Sequence, residues 1–132
     1  MPLTELNARK FEELVADALE HLWDYAYLGT HPLVELQSVK RQMPPNGKWS
    51  HVDMGRLLNG ILQNAIEKIK PNNLDSDLSR EKHYFLILRK AYVEGVHNKA
   101  IAVDLSIGER TLYRYSAKAI QVVAQILRDW EQ

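Results

Sequence analysis

No cysteine occurs in the 132 residues, which excludes a disulfide framework and any thiolate metal site. No apolar run approaches the roughly eighteen residues a membrane span requires. The opening, MPLTELNARKFEEL, turns charged and amphipathic at once and does not read as a signal peptide. Neither charge sign is in excess, 17 Lys+Arg standing against 17 Asp+Glu, so the strong basic balance common in nucleic-acid binders is missing. The six glycines are scattered and build no phosphate loop, and no Gly-x-Ser-x-Gly elbow accompanies the serines.

The five histidines, at 21, 31, 51, 83 and 97, fall in different segments without zinc-type spacing. Glu13, Asp17, Glu20 and Asp24 share one face of the first helix, yet no Glu-x-x-His motif stands on two helices to complete a di-metal site. Asp17 and His21, one turn apart, read instead as a surface ion pair. These absences lead to the expectation of a cytoplasmic protein that is not an enzyme and holds no metal or cofactor.

What is present is helical. At 45% hydrophobic and 26% charged, the composition suits one globular domain spanning 1–132, with a helical layer over 1–70 and a second unit over 79–130. Leu6, Phe11, Leu14, Val15, Ala18, Leu19 and Leu22 recur at helical steps and predict a first helix over 4–28, capped by Thr4 and closed by Gly29. Thr30 or His31 caps a short second helix that begins at Pro32 and turns Leu33, Leu36 and Val39 inward. KRQMPPNGKW breaks the chain at 40–49, where Asn46-Gly47 favours a turn.

Ser50 to Asp53 is a variant capping box, and behind it a long amphipathic helix runs to Pro71. Gly55 and Gly60 weaken that helix by roughly 1 kcal/mol each and invite a close neighbour. Ser79 caps a fourth helix running to about Glu94, apolar nearly all round in HYFLILRKAYV and therefore central. Two further helices, about 98–105 and 109–130, complete an all-α fold of about six helices. The aromatics Trp23, Tyr25, Tyr27, Tyr84, Phe85 and Tyr92 read as packing, and Trp49 as an anchor for its loop or part of an interface.

The stretch NKAIAVDLSIGERTLYRYSAKAI, 98–120, carries the functional signal. Ile101, Ala102 and Leu105 face inward from one short helix, Ile107 plugs the turn, and Leu112, Tyr115, Ala119 and Ile120 form the buried face of the next. That is the pattern of a helix-turn-helix, whose second helix presents its leading residues to a major groove. Glu109, Arg110, Tyr113, Arg114 and Ala117 then point outward. Arg110 and Arg114 can donate in pairs to guanine, and Tyr113 can meet a thymine methyl, so these three are the candidate base readers. Lys99, Thr111 and Lys118 suit phosphates, which fix register. From His97 to Lys118 the chain holds two more basic than acidic residues.

YVEGVHNKAIAVDLSIGERTLYRYSAKAI resembles the helix-turn-helix of sigma factor region 4 and of bacterial response-regulator output domains, over roughly residues 80 to 128. HLWDYAYLGTHPLVEL, GRLLNGILQNAIEKIKP and the RTLYRY helix are more distantly similar to helical regions attached to bacterial signalling ATPases. The resemblance implies a C-terminal trihelical unit on an N-terminal helical layer, acting in bacterial transcriptional regulation by binding double-stranded DNA. The chain departs from the region-4 turn, usually Leu-Gly-Ile-Ser, by reading Leu105-Ser106-Ile107-Gly108, and it has Ala100 where the family favours Glu. A left-handed Ser106 costs about 1 kcal/mol, while Gly108 caps nearly as well as serine.

The residues leave an alternative from another class. The unit serves as a protein-interaction or dimerisation module of a signalling protein, its partner a second copy or another protein, with the apolar tail Val122, Val123, Ile126, Leu127 and Trp130 buried against helix one or that partner. Small-molecule sensing in the N-terminal layer is a third reading.

Overall fold

The computed structural model describes residues 3, 6–43, 45, 47–71 and 80–131, and all statements about structure concern these. The expected caps Thr4 and Ser79, and Asn46 of the expected turn, lie outside them. The described residues form seven α-helices and no strand, against about six expected: α1 (Ala8–Glu20), α2 (Tyr25–Gly29), α3 (Gln37–Lys40), α4 (His51–Ile69), α5 (Arg80–Leu88), α6 (Asn98–Leu105) and α7 (Glu109–Asp129). A 3₁₀ turn over Pro32–Glu35 precedes α3, and a π turn over Arg89–Val93 extends α5. No described helix is long and apolar enough to cross a membrane.

The first predicted helix is two helices. Its hydrophobic period continues through Leu22, but α1 ends at Glu20, and the Leu22 carbonyl accepts from the buried Asn59 Nδ2 at 2.7 Å. The Asp24 carboxylate then accepts from the Tyr27 backbone N–H and starts α2. The short second helix resolves into the 3₁₀ turn and α3, and His31 is the cap, its Nδ1 accepting from the Leu33 N–H. Ser50 and Asp53 form the reciprocal capping box of α4.

Gly29 does not close a helix by adopting a left-handed conformation. It is the buried last residue of α2, and a Cβ there would overlap the backbone of His51. Gly95, at φ +71°, holds the left-handed position that ends the fourth predicted helix.

Two apolar clusters organise the molecule. The larger gathers Phe11, Leu19, Leu28, Leu33, Leu62, Ile66 and others from α1 to α4, with Phe85 and Leu88 of α5 and Ala119, Val123 and Leu127 of α7. The smaller is built from Ile87, Ile101, Ala102 and Leu112, with Leu105, Ile107 and Tyr115 packed against it. Because α5 contributes Ile87 to one cluster and Phe85 and Leu88 to the other, it stands between them, as its all-round apolar character requires. The apolar tail of α7 is buried within the chain itself. Val123 and Leu127 lie in the larger cluster, Ile126 and Trp130 pack on it, and Val122 stays 36% exposed. Beyond α7, the Glu131 carboxylate accepts from the N–H groups of Gln37 and Ser38 at the start of α3.

Candidate nucleic-acid interface

Residues 106–108 join α6 to α7. Ser106 is left-handed, φ 57° and ψ 42°, and its N–H bonds the Val103 carbonyl while the Ile107 N–H bonds that of Ala102. Those bonds satisfy carbonyls that the end of α6 would otherwise leave open. They also turn the chain so that Ile107 reaches the smaller cluster. Gly108 is the N-cap of α7 with extended backbone and no side-chain bond. Leu112 is fully buried on the inner face of α7, and this fixes which side chains face out.

Arg110, Arg114 and Lys118 are exposed along α7, and Tyr113 is 56% exposed, a high value for a tyrosine and one that keeps its ring clear of the core. Lys99 is exposed on the first turn of α6, whereas Thr111 is half-buried. The first two turns of α7 therefore bring Arg110, Tyr113 and Arg114 together on the outer surface, with Lys118 a turn beyond Arg114. Lys99 comes from a different helix.

The charges around this surface are sorted by pairing. Arg89 is engaged by Glu67 at 3.4 Å and Glu94 at 3.3 Å, and Lys90 by Asp104 at 3.8 Å. Among the described residues no carboxylate lies within ion-pair distance of Lys99, Arg110, Arg114 or Lys118. A chain with no net charge thus keeps a group of uncompensated cations on one unit. The first layer supplies the opposite sign: Glu12 and Glu13, the latter paired with Arg9 at 3.6 Å, line a groove of about 240 Å³ with Ala117, Ile120 and Gln121. Ala117 accordingly borders α1 and its carboxylates, whereas Arg110, Arg114 and Lys118 are exposed without a carboxylate among the described residues within ion-pair distance.

On the other flank, Tyr113 and Ser116 line a cavity of about 390 Å³ with Glu20, Tyr92, His97 and Asn98. Burial raises the Tyr92 phenol above its ordinary pKa.

A second polar cluster lies in the first layer. The expected pair of Asp17 and His21 is present at 3.8 Å, and His31 Nε2 approaches the same carboxylate at 3.1 Å. The Tyr27 hydroxyl donates to it at 2.6 Å. Because His31 Nδ1 accepts from Leu33, its proton sits on Nε2, and both ring nitrogens are occupied by structural bonds. The cluster joins α1 to the 3₁₀ turn. Its histidine stands fourteen residues from Asp17, beyond any local spacing rule.

Arg80 was not singled out by the sequence, and it too lies beside this surface: with Tyr84, it faces Arg114, Tyr115 and Lys118 across a cavity of about 260 Å³. Compared with known proteins, the chain matches no family model, no curated protein and no solved structure.

Proposed function

We propose that the protein binds double-stranded DNA through α5, α6 and α7, acting as a helix-turn-helix of the sigma region 4 kind in bacterial transcriptional regulation. The observation that carries the reading is the leading end of α7, where Arg110, Tyr113 and Arg114 are exposed together and, among the described residues, no carboxylate lies within ion-pair distance of the arginines. A helix laid in the major groove needs its N-terminal residues free and its inner face anchored, and the burial of Leu112 supplies the anchor. Arg110 and Arg114 read base edges with Tyr113 beside them, and Lys99, Thr111 and Lys118 hold phosphates.

The trihelical unit is braced by the N-terminal layer, which takes no part in the groove. The burial of Val123 and Leu127 within the chain's own core supports a reading helix that needs no second copy for its tail.

A gel-shift titration at two salt concentrations tests the function, comparing wild type with an Arg110→Ala/Arg114→Ala double variant. The wild type shifts duplex DNA, its affinity falls steeply with salt through counterion release, and the double variant binds far more weakly. Absence of any shift by the wild type at low salt overturns the reading.

A further inference from the structure

The cavity between α5 and α7 gathers three cations from two helices. Arg80 stands on the first turn of α5, and Arg114 and Lys118 are one turn apart on α7. All three are exposed, and among the described residues none lies within ion-pair distance of a carboxylate. Unmet positive charge gathered around one concavity raises the local concentration of anions. The walls are ordered by packing. Tyr115 meets Tyr84 edge-on, with ring centroids 5.6 Å apart, and stacks on His83 at 5.7 Å. The Arg114 guanidinium lies 5.6 Å from the centre of the Tyr115 ring, so an aromatic face steadies one of the three cations.

The size and chemistry favour a phosphate ligand. About 260 Å³ admits a tetrahedral oxyanion with its water, and two guanidinium groups and an ammonium lining one cavity match the charge and the several acceptor oxygens of a phosphate. A carboxylate brings less charge and fewer acceptors to the same three cations.

We infer that this cavity is a phosphate site, with Arg80 and Lys118 as its principal arms and Arg114 shared between it and the groove. Its occupant is a phosphodiester of the bound duplex. The choice of a duplex as the source of that phosphate rests on the DNA reading above. Arg80 thereby becomes a contact residue supplied by α5, and the protein grips the backbone beside the reading helix on the side away from the carboxylates of α1.

The test uses the full chain in two arms. In the first, duplex affinity is measured against salt for wild type, Arg80→Ala, Arg80→Lys and an Arg80→Ala/Lys118→Ala double variant. Loss of one phosphate contact lowers the log–log salt slope by about 0.9, equally for every sequence, and Arg80→Lys restores most of it. In the second, inorganic pyrophosphate is titrated while the ring resonances of Tyr84 and Tyr115 are followed by NMR. They shift in the wild type and stay still in the double variant, whose circular dichroism is unchanged.

Duplex binding with the lowered slopes supports the inference. Ring shifts with pyrophosphate, but no binding of any duplex, keep the phosphate site, reassign its ligand to a free phosphate compound and end the DNA reading alone. Duplex binding with an unchanged slope in Arg80→Ala and motionless tyrosines overturns the inference and leaves the DNA reading standing. No response in either arm overturns both.

Discussion

Gly55 of α4 meets the backbone of Tyr25 in α2 so closely that a Cβ on the glycine would overlap the Tyr25 carbonyl. Gly29, at the other end of α2, stands in the same relation to His51 of α4. The two helices are in contact backbone to backbone, and α2, only five residues long, holds its place through this crossing. Gly60 lies in the same α4 and has nothing within reach of an added Cβ.

These glycines therefore respond in opposite ways to alanine. Gly55→Ala drives a methyl into backbone that cannot move aside, and is expected to cost about 3 kcal/mol or more. Gly60→Ala only relieves the helix-propensity penalty and is expected to stabilise by about 1 kcal/mol. Urea unfolding of the two variants separates them by sign.

Ser106 is the one described residue other than glycine with positive φ. Holding a side chain in that conformation costs about 1 kcal/mol, so Ser106→Gly is expected to raise stability by about that amount without altering the fold. A drop in the denaturation midpoint would show that the serine side chain contributes something the backbone geometry does not reveal.

Trp23 is 53% exposed, yet its indole N–H donates to the carbonyls of Tyr92 at 3.2 Å and Val93 at 3.1 Å. These carbonyls belong to the π turn, where the regular helical bonding pattern is interrupted. The tryptophan thus ties the segment between α1 and α2 to the π turn that extends α5. Trp23→Phe keeps the ring and loses the donor, and is expected to destabilise by about 1 kcal/mol in chemical denaturation.

The Asp17 cluster gives stability a direction with pH. Burial, above all, holds His31 below its ordinary 6.5, its side chain being 2% exposed, while the Asp17 carboxylate pulls the other way. The folded protein therefore resists a proton that the unfolded chain accepts, and stability falls as the pH drops through 6.5 toward the lowered folded value. The Tyr27 hydroxyl is the main cause of Asp17 titrating below its ordinary 3.8, so a second loss follows in the more acidic range below 3.8. Unfolding free energy measured from pH 7.5 to 5 is expected to decline in the wild type and to run flatter in His31→Gln. An equal slope in both would remove His31 as the cause.

Local signals were legible in the sequence where one segment sets them. The Ser50 capping box, the inward face of α4, Gly95 and the buried face of α7 each follow from periodicity or cap chemistry within a single segment. The break after Glu20 was hidden because the apolar period carries through to Leu22, whose carbonyl is claimed by Asn59, thirty-seven residues away. Asp24 was the available signal, a good N-cap residue directly ahead of Tyr25.

In the candidate interface, the outward positions of α7 could be drawn on a helical wheel. Arg80 could not, because the rotation of α5 against α7 is set by how Phe85, Ile87 and Leu88 divide between two clusters. The acidic border that α1 gives Ala117 was hidden too, because it depends on how α1 packs against α7, at the far end of the chain.

Whether the leading turn of α7 reads sequence is decided by the affinity of wild type and Arg110→Ala for two duplexes, one selected by the wild type from a random pool and one a shuffled version of it. The wild type is expected to prefer the selected duplex strongly. Arg110→Ala loses roughly 1 to 3 kcal/mol on it, with little change on the shuffled one. Equal losses on both duplexes, or a wild type that selects nothing, would contradict sequence reading by that turn.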